Sequence, residues 1–206
     1  MGIPINIVGL NQFIPEIPEG NLILIQSTMD PITTIFTQNL AVFARKSGKD
    51  VTYITSRTQQ EVCEQIDYYQ KEKADGIQVV EERSHRKWKE YIRPQSVVIL
   101  DSFSYLILDI PLGEVKLILE EFLKECQERN AIVILTMEQG MLLRQVEIAA
   151  GHLSDGILHF LSKDTSKGVA RFIRIVKWMR AKSFDENIYY TFDGKRINID
   201  LRARVT

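Results

Sequence analysis

Hydrophobic and polar positions alternate in blocks along most of this chain. Asn21-Leu22-Ile23-Leu24-Ile25-Gln26 is a short apolar run, the pattern of a strand buried on both faces. Asp30-Pro31 then supplies an N-cap and a first-turn proline, and Ile35, Phe36, Leu40, Val42 and Phe43 carry a helix to Gly48. Residues 51–55 are β-branched and predict a second strand. Residues 58–73 predict a helix, with Val62, Ile66 and Tyr69 at helical spacing and Gly76 ending it. Residues 77–80 form a third strand, and Ser84 caps a short polar helix through Tyr91. After Pro94, residues 96–101 give a buried strand that ends in a carboxylate.

Residues 112–130 make the clearest amphipathic helix, with Val115, Leu117, Ile118, Phe122 and Leu123 as its apolar set. A further buried strand is predicted at 131–136 and a short helix at 140–150, closed by Gly151. The remaining runs, 156–160, 169–176, 188–192 and 196–199, read as strands joined by turns such as Asp193-Gly194. Alternation in the first part predicts an open α/β, mostly parallel sheet flanked by helices on both faces. The strand-rich end predicts antiparallel strands extending that sheet. A single domain over residues 1–206 is expected, with its core at about 20–200.

The chain has 206 residues, 45% hydrophobic and 26% charged, with a formal net charge of −1. That balance describes an ordinary globular protein and gives no overall electrostatic case for nucleic acid or an anionic membrane. No apolar run approaches the ~20 residues of a membrane span. The N-terminus has no basic region before an apolar one, and Asn6 stands where a myristoylation motif needs Ser or Thr. Cys63 and Cys126 are the only cysteines and are too far apart for a CxxC site, so free thiols and a cytoplasmic location are expected.

The turn between the first strand and the first helix occupies the place of a phosphate-binding loop. Such a loop reads G-x-x-x-x-G-K-[ST], with glycine N–H groups cradling phosphates and lysine neutralising them. Here the residues are Ser27, Thr28, Met29, Asp30, Pro31, Ile32, Thr33 and Thr34. Side chains fill both glycine positions, Thr33 replaces the lysine, and Thr34 keeps the final hydroxyl.

In order of elements, residues 20–200 resemble the RecA-like ATPases and, within them, the KaiC-like branch. The pieces that carry the resemblance are residues 21–25, 51–56, 96–102, 155–158 and 172–180. The resemblance implies that Asp101 stands where a Walker B carboxylate holds Mg²⁺ through water, and that Thr34 matches the metal-binding hydroxyl. A turn-capping role for Asp101 through Ser102 and Ser104 is the competing reading. The family's catalytic glutamate falls at Arg57 or Thr58, neither of which can take that role. Arg180 matches a residue that reaches a neighbouring subunit, while Trp178 replaces a lysine. Efficient ATP hydrolysis is therefore not expected, and no cofactor is expected, with ATP and Mg²⁺ left as the less favoured alternative.

Other stretches are candidates for binding. Lys167, Arg171, Arg174, Lys177, Arg180 and Lys182 lie in a window, 165–184, without an acid and with Phe172 and Trp178 interleaved. This suggests a surface for nucleic acid or an acidic partner. Regular strand alternation places Arg174 and Arg180 on one face and Arg171 and Lys177 on the other, which favours a solvated edge instead. Residues 84–91 form a second basic-aromatic cluster. His85, His152 and His159 are too dispersed to hold a metal, and no G-x-S-x-G, CxxC or HExxH motif is present. The apolar residues 106–112 would pack under the sheet or, if exposed, form a contact patch.

The sequence thus predicts a catalytically inactive RecA/KaiC-like module that binds a protein or peptide and could form homo-oligomers. Arg174, Lys177 and Arg180 are the candidate partner-binding residues, and Thr34 and Asp101 mark a vestigial nucleotide site. The first alternative is weak ATP binding through Asp101 and Thr34. The second is nucleic-acid binding through 165–184.

Overall fold

The computed structural model describes residues 2–28, 31–71, 73–166, 168–179, 187–194 and 196–200. Its centre is a nine-stranded sheet of spatial order β11-β10-β9-β8-β3-β7-β6-β4-β5. The strands are β3 (Asn21–Ser27), β4 (Val51–Thr55), β5 (Ile77–Glu81), β6 (Val97–Asp101), β7 (Ile132–Glu138), β8 (Gly156–Thr165), β9 (Gly168–Lys177), β10 (Ile188–Phe192) and β11 (Ile197–Ile199). From β8 through β3 to β5 every pairing is parallel, and from β8 to β11 every pairing is antiparallel. The predicted α/β architecture is thus the observed one, with β8 as the strand where the two regimes meet.

Helices cover both faces because the central strands are apolar on both. Ile23 and Ile25 of β3 enter one core with Phe36 and Leu40 of α1 (Ile32–Lys46) and Val62 and Ile66 of α2 (Gln59–Gln70). Leu22 and Leu24 enter a second core beneath α3 (His85–Trp88), α4 (Phe103–Leu106), α5 (Leu112–Arg129) and α6 (Arg144–Leu153). One residue of offset sends alternate side chains to opposite layers. Asp155 registers β8 on β3: its carboxylate accepts from Leu22 N–H at 2.9 Å, and its own N–H donates to Leu22 O at 2.7 Å.

The N-terminal residues, to which the hydrophobic pattern assigned no element, form a two-stranded ribbon of β1 (Ile3–Pro4) and β2 (Glu16–Ile17). Ile3, Ile5, Leu10, Ile14 and Ile17 are buried in the first core. Their spacing is irregular because a 3₁₀ turn at Leu10–Gln12 interrupts the arm.

Several boundaries differ from expectation for local reasons. α1 begins at Ile32, after Pro31, while the expected cap Asp30 lies outside the described residues. α2 stops at Gln70 because Lys71 adopts a left-handed conformation, φ 53°. Its start is a capping box: Glu61 N–H donates to the Thr58 hydroxyl, and the Glu61 carboxylate accepts from Thr58 N–H. The helix expected at 140–150 runs instead from Arg144 to Leu153 and contains Gly151. Gly140 sits at φ 82° in the turn before it, its N–H donating to Glu147 of that helix. Leu117, assigned to the apolar face of α5, is exposed. β8 and β9 extend past their apolar stretches into a polar hairpin tip, which hydrophobicity alone cannot signal. No helix among the described residues is long and apolar enough to cross a membrane.

Candidate functional site

Parallel strands deliver their C-terminal ends to one edge of the sheet, where open α/β folds place ligands. Ser27, Thr55, Asp101 and Glu138 end β3, β4, β6 and β7 there. Asp101 is the centre of the arrangement and is only 3% exposed. Its Oδ2 accepts from the Tyr53 hydroxyl at 2.5 Å and from Arg57 Nη2 at 2.8 Å. Its Oδ1 accepts from the Thr136 hydroxyl at 2.9 Å and, at 3.4 Å, from the Thr34 hydroxyl. Both oxygens therefore have donors within the chain, as a buried carboxylate requires.

The surrounding side chains hold this geometry. Arg57 Nη1 donates to Gln65 Oε1 at 2.8 Å, and Gln38 Nε2 donates to the same oxygen at 3.1 Å. The Thr37 hydroxyl lies 3.1 Å from the Tyr53 hydroxyl. Burial, reinforced by the negative charge of Asp101, pushes the Tyr53 phenol well above the ordinary tyrosine range. It stays a neutral hydrogen-bond donor.

Sequence reasoning brought Thr34 and Asp101 together, and so does the structure. It did not foresee the partners. Tyr53 and Thr136 lie inside apolar strand runs and read as core. Only the polar character of Thr136 at a strand's end hinted otherwise. Arg57, noted as unable to act as a catalytic base, proves to be the ion-pair partner of Asp101. The capping role considered for Asp101 belongs elsewhere. Ser102 caps α4 through Tyr105 N–H, and both Ser102 and Ser104 hydroxyls donate to Glu138 Oε2, at 2.5 and 2.7 Å. Glu138 is thus a second carboxylate at the same edge, already bound by two hydroxyls.

Among the described residues this edge presents carboxylates and hydroxyls, and the cation beside Asp101, Arg57, is already paired with it. In the turn, Thr33 is buried and its hydroxyl lies 3.5 Å from that of Ser27. Among the described residues no group of three or more His, Cys, Asp or Glu side chains could hold a metal ion. A cation approaching Asp101 would have to displace Arg57.

The candidate partner-binding residues separate. Arg174 is exposed, with its Nε 3.3 Å from Asn187 Oδ1. Lys177 is committed to the end of α6, donating to the carbonyls of His152 and Ser154. Arg180 lies outside the described residues. Regular alternation had set Arg174 and Lys177 on opposite faces, but a bulge reverses this. Arg174 pairs with His159 and Lys177 with Ile157, and those two β8 residues share a face.

In the second basic-aromatic cluster, Trp88 is buried and its indole N–H donates to Glu82 O at 3.1 Å. Lys87 and Lys89 pair with Glu82 and Glu121. The apolar residues 106–112 divide. Leu106 and Ile107 are buried, whereas Leu108 is half exposed. Leu108 walls a cleft of about 320 Å³ with Ile110, Leu112, Met141, Leu142 and Val146.

No protein-family model matches the sequence, and no curated protein matches it. Solved structures do match. The flagellar accessory protein FlaH from Methanocaldococcus jannaschii aligns with a TM-score of 0.82 at 17% identity, over 98% of this chain and 100% of that one. A KaiC-like protein from Pyrococcus horikoshii OT3 aligns with a TM-score of 0.79 at 16% identity, over 97% of this chain and 99% of that one. The fold is RecA-like, and at these identities the likeness speaks for the fold alone.

Proposed function

We propose that this chain is a RecA/KaiC-like domain without ATPase activity, working as an interaction or regulatory module. The observation that carries this reading is the Arg57–Asp101 pair, 2.8 Å apart, with the Asp101 side chain only 4% exposed. Phosphoryl transfer depends on a metal and fixed cations placed against the phosphates. Here a guanidinium from the chain itself lies against the strand-end carboxylate. The turn at 27–34 supplies hydroxyls where the motif needs glycine N–H groups and a lysine. With its site so filled, the domain has surfaces left to offer, and the half-open apolar cleft beside Leu108 and Met141 is one that suits a protein or peptide.

Calorimetric titration with Mg-ATP, beside a phosphate-release assay, tests the reading. Neither binding heat nor turnover is expected. Micromolar binding that disappears in Asp101→Ala would establish instead the weak nucleotide-binding reading, in which Thr34 and Asp101 hold the metal. Light scattering with and without nucleotide reports whether copies of the chain associate.

A further inference from the structure

Among the described residues, the antiparallel end of the sheet has one face in the first core and a second face outside both cores, where Leu161, Phe172 and Tyr189 are half-buried. Ile173, Ile175, Ile188 and Tyr190 point into the first core. Their neighbours along the same strands point the other way, and Leu161, Phe172 and Tyr189 belong to neither core. Helix α6 reaches only as far as Ile157 on that side.

This second face has a definite composition. Leu161 pairs with Phe172, and Phe172 with Tyr189, so the three form a row across β8, β9 and β10. The Phe172 and Tyr189 rings pack with centroids 5.8 Å apart. Lys163 and Arg174, both exposed, flank this row on β8 and β9. Beside Arg174 lies His159, whose imidazole is held below its ordinary range by burial and then by the Arg174 charge. The bulge opposite Ile157 and Leu158 adds Lys177 to the same face, anchored on α6. Along the paired, described residues of β8, β9 and β10 this face has no acid, and the acid that reaches it from α6 is Glu147, whose charge opposes that of Arg174 at His159. Asp200, level with Tyr189, lies beyond β10 at the outer edge.

We infer that this face binds single-stranded nucleic acid. Half-buried aromatic rings on a sheet face outside both cores give bases a surface to stack on, and flanking cations follow the phosphates. A duplex keeps its bases stacked internally and could use only the cations. An acidic polypeptide likewise has no use for the aromatic row. Charge therefore selects a polyanion, and the rings select one with free bases. Nothing in this depends on whether the Asp101 site takes nucleotide.

Fluorescence anisotropy with labelled oligo(dT) and oligo(rU) of about 20 nucleotides, against a duplex of the same length and against polyglutamate, tests the inference. Single strands should bind, weakening about tenfold between roughly 50 and 200 mM salt. Charge reversal by Arg174→Glu with Lys163→Glu should weaken binding about tenfold or more. Phe172→Leu with Tyr189→Leu, which keeps apolar bulk, should cost a similar factor for single strands while leaving the circular dichroism unchanged. Absence of binding at low salt would overturn the inference. So would equal affinity for duplex or polyglutamate, or insensitivity to the aromatic substitutions in a folded protein. Should the leucine pair fail to fold, the charge-reversed pair and the single-strand preference still decide.

Discussion

Arg57 Nη2 lies 2.8 Å from Asp101 Oδ2, so the carboxylate at the end of the fourth parallel strand is neutralised by a residue of the loop after the second. Removing the arginine leaves a buried charge with hydroxyl partners only. Because the Arg57 side chain is itself 33% exposed, the loss on Arg57→Ala should fall at the low end for a buried pair, about 2–3 kcal/mol. Urea unfolding measures it. The same variant exposes Asp101 and Thr34 to solvent and should gain Mn²⁺ binding by paramagnetic resonance that the wild type lacks.

Tyr53 should ionise only at unusually high pH. Its folded-state pKa is raised above the unfolded value, so its contribution to stability is complete below pH about 10 and declines as pH rises beyond that. A spectrophotometric titration of the wild type against Tyr53→Phe should show Tyr53 ionising only when the protein unfolds. Tyr53→Phe removes a donor from Asp101 and should cost about 1–3 kcal/mol, with no change in fold by circular dichroism.

The two thiols should react on different timescales. Cys126 is buried, and burial pushes its pKa up to about 12. Cys63 is half-buried, raised by burial and then by Asp67. With a thiol reagent near pH 8, Cys63 should label slowly in the native state and Cys126 only on unfolding. Equal rates for both would contradict the placement of Cys126.

Gly156 opens β8 where a Cβ would come within 2.9 Å of both the Ile23 side chain and the Trp178 ring. Gly156→Ala should therefore destabilise by about 1–3 kcal/mol through overpacking. A fall in Tm should appear together with altered tryptophan fluorescence, since Trp178 must shift. A silent substitution would mean that the ring lies elsewhere.

The sheet was legible in the sequence because its strands are buried on both faces and its helices carry strong spacing. Residues 21–26, 96–101 and 131–136 allow little other reading. The N-terminal arm escaped because a ribbon of two-residue strands has no period to detect. At the candidate site, Thr34 and Asp101 were found by their place in a motif. Tyr53, Gln65 and Thr136 were not, since their roles come from strands brought together across the sheet. The face occupied by Lys177 depends on a bulge, and one extra residue is invisible to a strict period of two.

The position of β3 also bears on how the chain reaches this state. Asn21 pairs with Ile132 and Ile23 with Gly156, so the first strand of the large sheet finds no neighbour until synthesis has passed β4, β5 and β6 and reached β7. During synthesis its apolar run must wait while β4, β5 and β6 assemble among themselves. Contacts of such sequence separation slow folding and leave an unpaired edge open to misassembly. The central strand is then among the last to be secured, and the pairing of β7 beside it is the event on which completion of the core depends.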